Sequence, residues 1–99
     1  MNLADLRGQL NLIDRRLLEL IAERQGLATQ IADVKRQTGY PTRDYKREKD
    51  VLLAARNTAS ELGIAPAIAE SILRIFIAVT ADVEIGLLSV QSQFVEVMQ

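Results

Sequence analysis

Cysteine and histidine are both absent from this chain. Without them there are no disulfides, thiol nucleophiles, imidazole bases or usual zinc ligands, so any chemistry falls to Lys, Arg, Asp, Glu, Ser, Thr, Tyr or amides. Proline occurs twice and aromatic residues only four times, while 48% of residues are hydrophobic and 25% charged. That balance suits a packed helical protein and disfavours both a disordered chain and a β-sandwich. The first residues, Met1-Asn2-Leu3-Ala4-Asp5-Leu6-Arg7, carry an early acid and start no unbroken apolar run. No signal peptide or membrane span is expected from them, and a cytoplasmic protein is the default. A net charge of −1 argues against bulk nucleic-acid binding. Basic residues are also missing beyond Arg74, whereas Lys35, Arg36, Arg43, Lys46, Arg47 and Lys49 crowd together.

What is present is dominated by one stretch. Leu3, Leu6, Leu10, Ile13, Leu17, Leu20, Leu27, Ile31 and Val34 alternate spacings of three and four, except where Arg24 fills the slot between Leu20 and Leu27. This is a helical seam with a guanidinium set into it. Burying an unpaired cation costs several kcal/mol, roughly, so Arg24 requires a carboxylate of the protein or of a ligand. A register device and an anion clamp both satisfy that requirement.

The seam predicts a first helix of about 35 residues that stops at Gly39-Tyr40-Pro41. At ~1.5 Å per residue it is roughly 50 Å long, against a radius of gyration of ~13 Å for a compact domain of this size. The chain cannot wrap such a helix alone, and a homodimer in which the first helices pair is expected. Thr42 is read as the N-cap of a second helix with Asp44 in its first turn, running to Leu62 before Gly63. Pro66 opens a third, with Ile68, Ile72, Ile75, Phe76, Val79 and Val83 as its buried face. The fold expected is all-α, three helices in a single domain over residues 1–99, with a core at 3–88 and a helix end and tail at 89–99.

Arg7 and Lys35 share a face of helix 1 but lie roughly 40 Å apart along it, too far to hold one small molecule within a chain. In an antiparallel pairing, Arg7 of one copy approaches Arg24 and Lys35 of the other. Arg24 and Lys35 are eleven residues apart, almost three turns, and project the same way. They suit opposite ends of an elongated dianion. Asp44, Arg47 and Glu48 follow i, i+3, i+4 spacing beside Val51, either a solvated salt-bridged face or part of a site. Thr80 and Glu84 border the apolar stripe of helix 3, where desolvation would raise the Glu84 pKa and let a protonated carboxyl donate a hydrogen bond. Lys46 and Lys49 read as plain surface.

Taken in order, Leu6-Arg7, Asp14, Leu17-Leu18, Leu20-Ile21, Glu23-Arg24, Val34-Lys35, Arg43-Asp44 and Arg47-Glu48 resemble the all-helical chorismate mutases, the AroQ class. The resemblance covers Leu3 to about Leu88. It implies an intertwined homodimer with two composite active sites and rearrangement of chorismate to prephenate in aromatic amino acid biosynthesis, with no cofactor and no metal. By position, Arg24 and Arg7 of the partner copy look like the carboxylate-binding arginines and Lys35 like the ether-oxygen donor. Arg47, Asp44, Glu48 and Thr80 look like the remaining substrate contacts. Glu84 falls where many bacterial members carry Gln, so an acid-favoured reaction is expected. Other readings are an isochorismate-pyruvate lyase or aminodeoxychorismate mutase on the same scaffold, a non-catalytic helical dimer acting as an interaction module, and a coiled-coil nucleic-acid binder using the Lys35–Lys49 cluster. Interspersed Asp44, Glu48 and Asp50 disfavour the last. The sequence names no second enzyme on which the protein would dock.

Overall fold

In a computed structural model, which describes residues 1–41 and 43–85 and the side chains through residue 81, the chain forms three helices. They are α1 (Leu3–Thr38), α2 (Tyr45–Leu62) and α3 (Pro66–Ile85). No strand occurs among the described residues.

Local chemistry sets each boundary. At the start of α1 the Asn2 side chain accepts the Asp5 N–H at 2.9 Å, and the Asp5 carboxylate accepts the Asn2 N–H at 3.2 Å. This reciprocal box satisfies two amides that a helix start would otherwise leave bare. Gly39, with φ of 69°, ends the helix in the left-handed region that a side chain would resist. Lys35 and Arg36 occupy the last turn, where cations suit the helix dipole.

The second helix corrects one expectation. Its cap is Asp44, whose backbone is extended and whose carboxylate accepts the Arg47 N–H at 3.0 Å. Asp44 therefore stands outside the helix rather than in its first turn. Thr42, the residue expected to cap it, lies outside the described residues. Gly63, with φ of 73°, closes α2 while the Ile64 N–H returns to the Ala59 carbonyl at 2.9 Å. Pro66 then opens α3, where its missing N–H does no harm.

Among the described residues α3 packs against both other helices, while α1 and α2 do not pack against each other. The buried side chains among the described residues are small: Ala28 and Ala32 on α1 and Ala59 on α2. Such residues let helix axes approach closely. The face that α3 turns inward is Ala69, Leu73, Phe76, Ile77 and Thr80, all half-buried. It lies roughly 100° around the helix from Ile68, Ile72 and Ile75. Those three isoleucines, expected in the core, are 56%, 44% and 64% exposed. Of the same predicted face, Phe76 and Val79 are half-buried, and the side chain of Val83 lies outside the described residues.

The radius of gyration is 16.5 Å and the longest dimension 54 Å. A compact domain of this length has a radius of ~13 Å, so the single chain is extended along α1. Most of the seam lies bare: Leu10, Leu17 and Leu27 are each more than half exposed. None of the described residues covers it. The expected helix end and tail at 89–99, and the end of the core beyond residue 85, lie outside the described residues.

Candidate active site

All three helices contribute to one cavity of about 220 Å³. From α1 come Arg24, Ile31 and Lys35. The start of α2 and the segment before it supply Arg43, Asp44, Arg47, Glu48 and Val51, and α3 supplies Ile77, Thr80 and Ala81. Four cations thus face two carboxylates between apolar walls. Such a cavity favours an anion with hydrocarbon surface.

Arg24 enters the cavity half-buried and held by neutral groups. Its Nη1 donates to Thr80 Oγ1 at 2.7 Å and to the Phe76 carbonyl at 3.4 Å. The guanidinium also lies 5.5 Å from the centroid of the Phe76 ring. No carboxylate among the described residues pairs with Arg24. The Thr80 hydroxyl donates in turn to the Phe76 carbonyl at 2.9 Å. Arg24 is therefore oriented from α3 before any ligand arrives.

The α2 face is built differently from its sequence spacing. Glu48 pairs with Arg43, five residues back, and not with Arg47. Arg43 Nε donates to Glu48 Oε2 at 2.8 Å and its Nη2 to Oε1 at 2.9 Å. These bonds hold the Glu48 carboxyl below the usual range, opposed by partial burial and helped by the nearby charges of Arg43 and Lys35. Asp44 takes the Arg47 amide as a cap, which leaves the Arg47 side chain at the cavity without an ion pair among the described residues. Lys35 is half-buried in the wall.

Six predicted site residues, Arg24, Lys35, Asp44, Arg47, Glu48 and Thr80, meet at this cavity. Arg7 does not; it is exposed on α1, seventeen residues and roughly 25 Å before Arg24. Glu84 lies one turn beyond Thr80 on α3, and its side chain is outside the described residues. Lys46 and Lys49 are exposed and away from the cavity. The apolar walls Ile31, Val51, Ile77 and Ala81 and the cation Arg43 had not been singled out as site residues. For Ile31 and Val51 the signal was their place one or two turns from Arg24 and Arg47. No group of acidic side chains among the described residues is arranged to hold a metal ion, and no described helix is long and apolar enough to cross a membrane.

Comparison with known proteins gives consistent matches. A family model for chorismate mutase type II matches residues 6–85. The chain is 37% identical over 75 residues to the chorismate mutase of Methanocaldococcus jannaschii, covering 76% of each chain. It is 39% identical over 74 residues to the T-protein of Haemophilus influenzae, covering 75% of this chain and 20% of that one. The T-protein of Enterobacter agglomerans is 36% identical over 72 residues, covering 73% of this chain and 19% of that protein. The chain thus spans about a fifth of the length of the T-proteins it matches.

Proposed function

The chain belongs to the chorismate mutase type II family, and on that footing we propose that it converts chorismate to prephenate. The observation that carries this reading is the convergence of Arg24, Lys35 and Arg47 on one apolar-walled cavity. Chorismate is a dianion with a hydrocarbon ring, which is the ligand class such a cavity suits. In the rearrangement the bond from the ring to the ether oxygen breaks while a carbon–carbon bond forms from the enolpyruvyl methylene to the ring. No proton or electron need enter or leave, so a chain without His or Cys is adequate to it.

Catalysis then consists of holding the compact conformer and stabilising charge on the departing ether oxygen. Arg24, pre-oriented by Thr80 and Phe76, binds one substrate carboxylate. Lys35 donates to the ether oxygen, with Glu84 in protonated form as the second donor. Arg47 contacts the substrate's anionic side, and Asp44 and Glu48 accept from its hydroxyl or act through the backbone. The second carboxylate falls to Arg7 of another copy in a homodimer paired along α1. The bare seam and the extended shape of the single chain support that assembly.

The test is a parallel assay of the purified protein with chorismate, isochorismate and aminodeoxychorismate, following the loss of each substrate and, for chorismate, prephenate formation. Prephenate from chorismate alone is expected. Turnover of only one of the other two would reassign the substrate. No turnover of any, with no binding of a dianionic bicyclic transition-state analogue, would leave a helical interaction module.

A further inference from the structure

Arg43 lines the cavity from the segment before α2, outside every helix. Both nitrogens of its fork engage Glu48, at 2.8 and 2.9 Å, and its guanidinium lies 5.0 Å from the centroid of the Tyr45 ring. The fork and the ring together fix the plane of the guanidinium, and through it the Glu48 carboxylate. Glu48 has little exposure left, 22% of its side chain. Its charged neighbours are Asp44 at the cap of its helix, Arg47 on the same helix, and Arg24 and Lys35 across the cavity on α1. From α3 the described side chains at the cavity are Ile77, Thr80 and Ala81, none of which titrates in the working range.

A carboxylate in the wall of a site for a dianion repels its ligand unless its charge is offset nearby. Lys35 and Arg47 are better used on the substrate than on Glu48. We propose that Arg43 is a positioning residue of the rearrangement, acting through Glu48. Its fork holds the carboxylate against the cavity wall and offsets its charge, so that Glu48 accepts from a substrate hydroxyl without driving off the substrate's carboxylates. Among the influences that hold the Glu48 carboxyl low, the hydrogen bonding from Arg43 is the largest, ahead of the charges of Arg43 and Lys35, while burial and the Asp44 charge oppose it. This role rests on the activity proposed above.

Removing Arg43 then has three linked effects. Arg43→Ala lowers kcat/KM by roughly tenfold, chiefly through KM, because the substrate meets an uncompensated carboxylate. The acid limb of the kcat/KM profile moves to higher pH as Glu48 loses its donor. Arg43→Lys recovers part of the loss, since it restores charge without the planar fork. The deciding measurement is a double-mutant cycle with Glu48→Gln. If Arg43 acts through Glu48, Arg43→Ala costs less than about twofold in the Glu48→Gln background. An equal loss in both backgrounds, or an acid limb that stays in place in Arg43→Ala, would overturn the role.

A substrate-free readout keeps this separable from the activity. Carbon-13 NMR of labelled glutamate carboxyls should show one group titrating at higher pH in Arg43→Ala than in the wild-type chain, and that group absent in Glu48→Gln. No such displacement would overturn the coupling even in an active enzyme. A displacement in Arg43→Ala, where the wild-type chain turns over no chorismate, would uphold the coupling and overturn the reading of the activity.

Discussion

Arg24 and Lys35 stand eleven residues apart on one helix, yet truncating them should be felt differently. Lys35 is assigned to the ether oxygen, where charge develops only as the bond breaks, so Lys35→Ala should lower kcat on the order of 10²- to 10³-fold with a smaller change in KM. Arg24 is proposed to grip a carboxylate present before and after that moment, and Arg24→Ala should raise KM as well. Steady-state kinetics separates the two, and wild-type turnover in Lys35→Ala would refute its role. Glu84 carries a second expectation at this scale. As a donor it must be protonated, so activity should be higher at pH 5 than at pH 8, and Glu84→Gln should remove that decline. A flat wild-type profile would sink the idea. Lys35 and Arg24 were legible in the sequence because both interrupt or border an apolar series. Arg43 was not, since a residue five positions from its partner, across a helix cap, follows no helical period.

Among elements, α3 is the member on which the other two are assembled. One polar tie from it to α2 is Glu70, which accepts from Arg56 of α2 at 2.9 Å and from Arg74 of its own helix at 3.0 Å. The hydrogen bonds from Arg74 and Arg56 hold the Glu70 carboxyl below its ordinary value of 4.5. A carboxyl whose folded pKa is depressed adds stability above its unfolded pKa and loses that contribution as pH falls through the folded value. Urea midpoints measured from pH 6 downward should therefore fall more steeply with acid in the wild-type chain than in Glu70→Gln. Because these groups are exposed, the difference should be small and should shrink in high salt. Equal slopes in the two proteins would remove the tie from the account of stability. The ends of the elements were largely legible beforehand, because Gly39, Gly63 and Pro66 act within a turn of themselves. The start of α2 was misplaced by two residues, since Thr and Asp are both good cap residues and only the backbone path shows that Asp44 takes the Arg47 amide.

For the whole molecule, the bare seam and the distance of Arg7 from the cavity lead to one expectation. If each site takes Arg7 from one copy and Lys35 from another, then Arg7→Ala and Lys35→Ala homodimers are both impaired in different chains of the same site. Mixing the two and allowing subunits to exchange should restore one intact site in each mixed dimer, about a quarter of wild-type activity if exchange is random. Sedimentation should show a dimer for each variant. Failure of the mixture to recover activity, despite demonstrated exchange, would take Arg7 out of the other copy's site and undo the shared arrangement.

The sequence by itself determined the three helices and the seam of α1, because periodicity, capping and chain-breaking residues act over a few positions. It also carried the order of charged residues by which the family is recognised. Tertiary structure decided the contacts that depend on how helices cross and rotate. Arg24 meets Phe76 and Thr80 across 52 and 56 residues of chain, which no local pattern specifies. The same rotation turned Ala69, Leu73 and Thr80 of α3 inward and left Ile68, Ile72 and Ile75 outside, although both sets repeat at helical spacing. Hydrophobic periodicity says that a face will be buried; only packing says which neighbour buries it.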